Sequence, residues 1–125
     1  AVIEGVSFGI LDGVNSILKV NQNFEKIFMV GGGSKSKFWI ELLASLLNRK
    51  LSVCDQSEFG AALGVARLAM YVDKNIDTKE NIIKEINVSK SFNPNQDKID
   101  LLLKRYNIWR DIYSSNKKIA SNLLA

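Results

Sequence analysis

Over the first twenty positions, apolar residues recur at three- and four-residue steps: Ile3, Val6, Ile10, Val14 and Ile17. That spacing predicts a helix over residues 1–20 with one apolar face. No Ser, Thr, Asp or Asn stands ahead of Ala1 to cap it, so it reads as the continuation of a longer chain. Gly5, Gly9 and Gly13 form a second stripe at steps of four. Glycine costs ~1 kcal/mol per helical position relative to alanine. Three on one face therefore predict close backbone approach by a neighbouring element.

Lys26-Ile27-Phe28-Met29-Val30 reads as a short strand, broken by Gly31-Gly32-Gly33-Ser34. A helix follows from Ser36 to Leu47, with Phe38, Leu42, Leu43, Leu46 and Leu47 as its stripe, and Leu51-Ser52-Val53-Cys54 reads as a second strand. Asp55-Gln56-Ser57 turns the chain into a third helix, Glu58 to Val72, which Ser57 or Asp55 is placed to cap. Gly60, Ala61, Ala62, Gly64, Ala66 and Ala69 keep that helix thin and predict tight packing. Residues 73–95 are the loosest part: Thr78 caps a helix through Ile86, and Ser89 to Asn95 is polar and holds the only proline, Pro94. From Asp97 a last helix carries Ile99, Leu102, Leu103, Tyr106, Trp109, Ile112 and Tyr113 on the face expected to dock.

The order α-β-α-β-α followed by a C-terminal helix is that of an α/β layer with parallel pairing. Two strands make a marginal sheet, so more strands are expected in a longer parent chain. The chain divides into an α/β core (1–72), a loose connection (73–95) and the C-terminal helix (96–125), all within one partial domain.

Composition narrows the chemistry. The 125 residues include no histidine and one cysteine, Cys54. Triads and Cys–His pairs that need imidazole are therefore excluded within these residues, as are the common zinc sites. Carboxylates, backbone amides and ammonium groups remain. One thiol makes no internal disulfide, which favours the reducing cytoplasm. No run approaches the ~20 apolar residues of a membrane span, and no signal peptide is visible. The net charge of +4 lies wholly in residues 74–125, where basic residues alternate with acids. That is a solvated helical surface and not a nucleic-acid patch.

The chemical signal is the strand followed by Gly31-Gly32-Gly33-Ser34-Lys35-Ser36-Lys37 and a helix. A turn without Cβ atoms lets a ligand lie against the backbone, and a helix N-terminus favours anionic or acceptor groups. A Walker A loop does not fit, because no glycine directly precedes Lys35 or Lys37. A Rossmann fingerprint fits in part: Gly31-x-Gly33 matches two glycines and Asp55 ends the next strand, but Ser36 replaces the third glycine. A tight turn with a purely structural role is the remaining alternative.

Val30-Gly31-Gly32-Gly33-Ser34-Lys35-Ser36-Lys37-Phe38-Trp39, with Glu58-Phe59-Gly60-Ala61-Ala62-Leu63-Gly64-Val65-Ala66-Arg67-Leu68-Ala69, resembles the C-terminal part of the FGGY carbohydrate kinases. Ala1 to Phe8 resembles the family's preceding helix; Phe92-x-Pro94 and Tyr106-x-x-Trp109-Arg110-x-x-Tyr113 resemble its closing segment. Within the family, the glycine motif is more similar to that of xylulose kinases than of glycerol kinases. The resemblance implies two actin-like (ribonuclease-H-like) domains around a cleft, with the sugar and the catalytic aspartate in the first and ATP held mainly by the second. By position, Gly32, Gly33 and Ser34 would line the adenine–ribose end of the nucleotide. Lys37 stands where glycerol kinases carry an asparagine near the adenine, and its stem would pack on the purine. The helix from Gly60 would support the loop from behind.

No residue matches the family's catalytic aspartate, and the loops for the terminal phosphates are expected ahead of residue 1. The implied parent uses ATP and Mg2+ to phosphorylate a ketose, D-xylulose, and this chain alone is expected to be inactive. Expected partners are ATP or ADP and the sugar, with no nucleic acid and no membrane, and an exposed first helix is a candidate surface for pairing two copies. Asp12, Asp55 and Glu58 read as solvated or capping carboxylates. Trp39 and Trp109 read as packing residues, with Trp39 as a purine platform the alternative. A non-catalytic actin-like nucleotide-binding or oligomerisation module and a piece of a Rossmann oxidoreductase remain open.

Overall fold

A three-stranded sheet carries the helices, its strands in the order β1 (Ile27–Met29), β2 (Leu51–Cys54), β3 (Val88–Phe92). The structure is a computed structural model and describes residues 1–20, 26–55, 57, 60–72 and 87–123. Helices α1 (Val2–Val20), α2 (Lys37–Leu47), α3 (Gly60–Val72) and α4 (Gln96–Leu123) complete it, with a 3-10 turn at Gly32–Lys35. β1 and β2 run parallel, Ile27 opposite Leu51 and Met29 opposite Val53.

The strand that the hydrophobic pattern does not reveal is β3. It lies antiparallel to β2, with Leu51 opposite Phe92 and an irregularity between Val53 and Cys54. Val88 to Ser91 are exposed, and only Phe92 packs inward. A polar strand with a central lysine suits a sheet edge, and its alternation is too weak to read from sequence. Ser89 Oγ donates to Val53 O at 3.0 Å, which helps fasten this edge. So part of the polar stretch 89–95 is ordered sheet. The helix predicted from Thr78 to Ile86 lies outside the described residues.

Helix α2 is the hub. On one side Ile40, Leu43 and Ala44 pack with Leu51 and Val53, closing the sheet. On the other, Leu46 joins Phe8 and Leu11 of α1 and Leu102 and Tyr106 of α4. A helix buried on two sides has no single stripe, which is why Ile40 and Ala44 are buried while the predicted stripe residue Phe38 is 64% exposed. Ser36 caps its start by accepting from Trp39 N at 3.3 Å, and Asn48 in the left-handed region ends it.

Four expectations about faces are corrected. Helix α1 turns Ser7, Phe8 and Leu11 inward, leaving Ile3, Val6, Ile10 and Ile17 exposed. Gly9 and Gly13 face open space, and Gly5 meets only the Trp109 indole at ordinary contact distance, so the glycine stripe marks no close approach among the described residues. Helix α3 buries none of its residues. On α4, Ile99, Leu102 and Tyr106 are buried as predicted, whereas Leu103 and Ile112 are exposed; the Tyr113 side chain lies outside the described residues. Among the described residues, no helix is long and apolar enough to cross a membrane.

Candidate functional site

Parallel pairing brings the carboxyl ends of β1 and β2 to the same side, where ligands of open α/β sheets bind. The glycine turn leaves β1 there, and the turn at Ser57 leaves β2. The two are joined. Gly31 N–H donates to Ser57 O at 2.7 Å, and the Ser34 and Ser57 hydroxyls lie 2.7 Å apart. Ser34 Oγ gives its one proton to Gly31 O, so the Ser57 hydroxyl donates to Ser34. Behind the turn, Gly60 at the start of α3 packs on Val30: a Cβ at Gly60 would lie 3.2 Å from Val30 Cβ. The expected support from behind is present at this one point.

The consecutive glycines have different reasons. Gly31 has φ +83° and ψ −174°, a region essentially restricted to glycine. Gly32 is exposed, with nothing within 4 Å of a Cβ position. At Gly33 a Cβ would stand 2.6 Å from Trp39 Cζ3 and 3.1 Å from Met29 Cε. The turn thus has an open side at Gly32 and a side pressed on the Trp39 ring. The N–H groups of Gly32 and Gly33 donate to no backbone carbonyl among the described residues, leaving two donors at the turn.

Of the four predicted site residues, the structure brings Gly32, Gly33 and Ser34 into one turn and puts Lys37 on the first turn of α2. Ser34 is buried and its hydroxyl proton is committed within the turn. Lys37 is exposed and ion-paired with Glu41 at 3.7 Å. Trp39 packs against the sheet side of α2 and donates its indole N–H to Ser7 Oγ at 2.9 Å. Trp109 packs with Phe8 and Tyr106, ring centroids 5.9 and 6.3 Å away. Ser7 was invisible to sequence reasoning, because a lone serine within a helix carries no signal.

A hollow of about 610 Å3 lies between α1 and α4, lined by Asp12, Trp109 and Arg110 among others, and shares no residue with the glycine turn. Two of its charged groups, Asp12 and Arg110, already have partners. Tyr106 OH donates to Asp12 Oδ1, and Arg110 Nε lies 3.8 Å from the same oxygen. Burial, then the bond to Asp12, raises the Tyr106 pKa above the usual phenol value. Burial likewise raises the Cys54 thiol, with the Asp55 charge adding to it, so it stays protonated at neutral pH. Among the described residues, no group of three or more Asp, Glu or Cys side chains gathers to hold a metal ion.

A glycine turn closing the carboxyl end of a parallel strand pair, with helices packed on the sheet, defines an α/β domain. The chain belongs to the FGGY family of carbohydrate kinases: residues 1–72 match the family's C-terminal domain. Over 125 residues it is 31% identical to a xylulose kinase of Staphylococcus epidermidis, covering 99% of this chain and 25% of that protein. Among solved structures it superposes on a xyloylose kinase from Brucella ovis with a TM-score of 0.78 and 26% identity, covering 95% of this chain and 24% of the other. A gluconate kinase from Lactobacillus acidophilus follows at 0.68 and 25%, covering 92% and 23%. The chain thus spans about a quarter of the length of its relatives. Membership of this family removes the Rossmann oxidoreductase reading.

Proposed function

We propose that this chain is the nucleotide-holding part of an ATP-dependent sugar kinase of the actin-like class, whose acceptor is a ketose, D-xylulose. The observation that carries it is the glycine turn: two amides that donate to no backbone carbonyl among the described residues, an open face at Gly32 and a place at the carboxyl end of the parallel strands. The similarity to proteins named xylulose kinase supports the choice of sugar. Phosphoryl transfer rests on positioning and charge stabilisation, so a domain can hold the nucleotide without supplying the base.

In this reading the Gly32 and Gly33 backbone takes the nucleoside end of ATP or ADP, and Ser34 acts through the shape of the turn. The Lys37 stem reaches the purine when its pair with Glu41 opens. Asp12 is engaged by Tyr106 and Arg110, and Glu4 by Arg105, so neither is poised as a base at the turn. The base, the magnesium ion and the groups for the terminal phosphates belong to the remaining three-quarters of a protein of the relatives' length.

Titration of the 125-residue chain, followed by NMR at residues 31–39, tests the reading. ATP and ADP should both shift these peaks with similar weak affinity, since the charge-assisted contacts to the terminal phosphates are missing, and NAD should not. Tight magnesium-dependent preference for ATP would place the phosphate site within this chain. No shift with either nucleotide would overturn the reading.

A further inference from the structure

Ser7 lies on α1, a different element from the glycine turn, yet the two are linked through one side chain. Ser7 is fully buried, and its hydroxyl proton goes to Ile3 O at 2.7 Å. Its lone pairs therefore face the Trp39 indole, whose N–H meets Ser7 Oγ at 2.9 Å. The opposite edge of the same indole, Cε3 and Cζ3, occupies the space a Cβ at Gly33 would need, at 2.9 and 2.6 Å. The indole is thus held by a directional bond at one end and bears on the backbone of the turn at the other. Met29 Cε, 3.1 Å from the same Cβ position, helps confine it.

We propose that Ser7 and Trp39 are positioning residues for the glycine turn: the bond to Ser7 sets the indole, and the indole sets where the Gly32 and Gly33 amides stand. This rests on the reading of the turn as the nucleotide contact. A planar ring without its hydrogen bond turns about its Cβ–Cγ bond; with the bond in place, its edge becomes a fixed wall. Two flexible glycines gain a defined path from that wall without a rigid residue of their own. The side away from the ring stays open to ligand.

The test uses the 125-residue chain labelled with nitrogen-15. It holds two tryptophans, so two indole N–H peaks report on Trp39 and Trp109 separately. Ser7→Ala should move the Trp39 indole peak and the Gly32 and Gly33 amide peaks while leaving the Trp109 indole in place. The same variant should weaken ADP binding about five- to tenfold while the chain remains folded, since a buried donor has lost its partner. A second arm combines Gly33→Ala with Trp39→Leu. Gly33→Ala should displace the Gly32 amide in the unaltered background and have little further effect once the indole is gone, a strongly non-additive cycle. Unmoved Gly32 and Gly33 peaks in a folded Ser7→Ala chain would overturn the proposal, as would equal effects of Gly33→Ala with and without Trp39. If Ser7→Ala does not fold, the cycle decides alone. A chain whose turn responds to Ser7→Ala but not to ADP would retain the positioning role and lose the nucleotide reading. One that binds ADP equally with and without the Ser7 hydroxyl would do the reverse.

Discussion

Gly31, Gly32 and Gly33 form a run in the sequence and three separate cases in space. Alanine at Gly31 must hold a positive φ with extended ψ, at a cost of about 1–3 kcal/mol. At Gly33 it meets the Trp39 ring, and overpacking of this kind costs about 1–3 kcal/mol. At Gly32 it meets nothing, and stability should change by no more than about 0.5 kcal/mol. Urea unfolding of the three variants should therefore show two destabilised chains and one near the original. Only Gly32→Ala should lose ADP affinity without losing stability. Equal destabilisation at all three would show that the open face is not open. The pattern also revises the reading of Gly33, whose glycine is required by packing whatever the turn binds.

Helix α1 meets α4 through Phe8 and Leu11, which the apolar steps of α1 do not single out, and through Leu102 and Tyr106, which those of α4 do. Phe8 lies 5.8 Å from the Tyr106 ring centroid and belongs to the core that joins α1, α2 and α4. Phe8→Ala should cost about 3–5 kcal/mol in urea unfolding. Ile10→Ala, on the exposed stripe, should cost less than about 1 kcal/mol. The reverse ranking would restore the face expected from the sequence. Burial of Tyr106 and then its bond to Asp12 make the joint pH-sensitive at the alkaline end. The folded state holds the phenol pKa above its ordinary value of about 10, so the contribution to stability is complete below that pH. It is lost as pH rises from there through the raised folded value. Tyr106→Phe should flatten this alkaline loss in thermal melts between about pH 9 and 11, and an unchanged slope would place the sensitivity elsewhere.

At the scale of the whole molecule, much apolar surface is uncovered. Val65, Leu68 and Val72 of α3 are each more than 60% exposed, and α1 adds Val2 and Ile17. Exposed apolar area on this scale is the kind that drives association between copies in water. Sedimentation of the isolated chain should show association that grows with concentration, and Leu68→Glu should reduce it without lowering the melting temperature. A monomer throughout the micromolar range would show that these faces tolerate water unaided.

The sequence by itself determined the α/β class, the parallel strand pair, the glycine turn and the family. Each is written in local signals: short apolar runs, a strand broken by three glycines, a motif of consecutive residues. Which faces are buried was settled only by the tertiary structure, because α1 and α2 are apolar on more than one side and periodicity cannot rank two faces. The edge strand β3 was settled there too. Its stability comes from ladder bonds to β2, which a polar segment does not announce. The same holds for Ser7 and Gly33: their roles depend on the Trp39 indole lying between them, a relation across 32 residues from Ser7 to Trp39 that no local pattern contains.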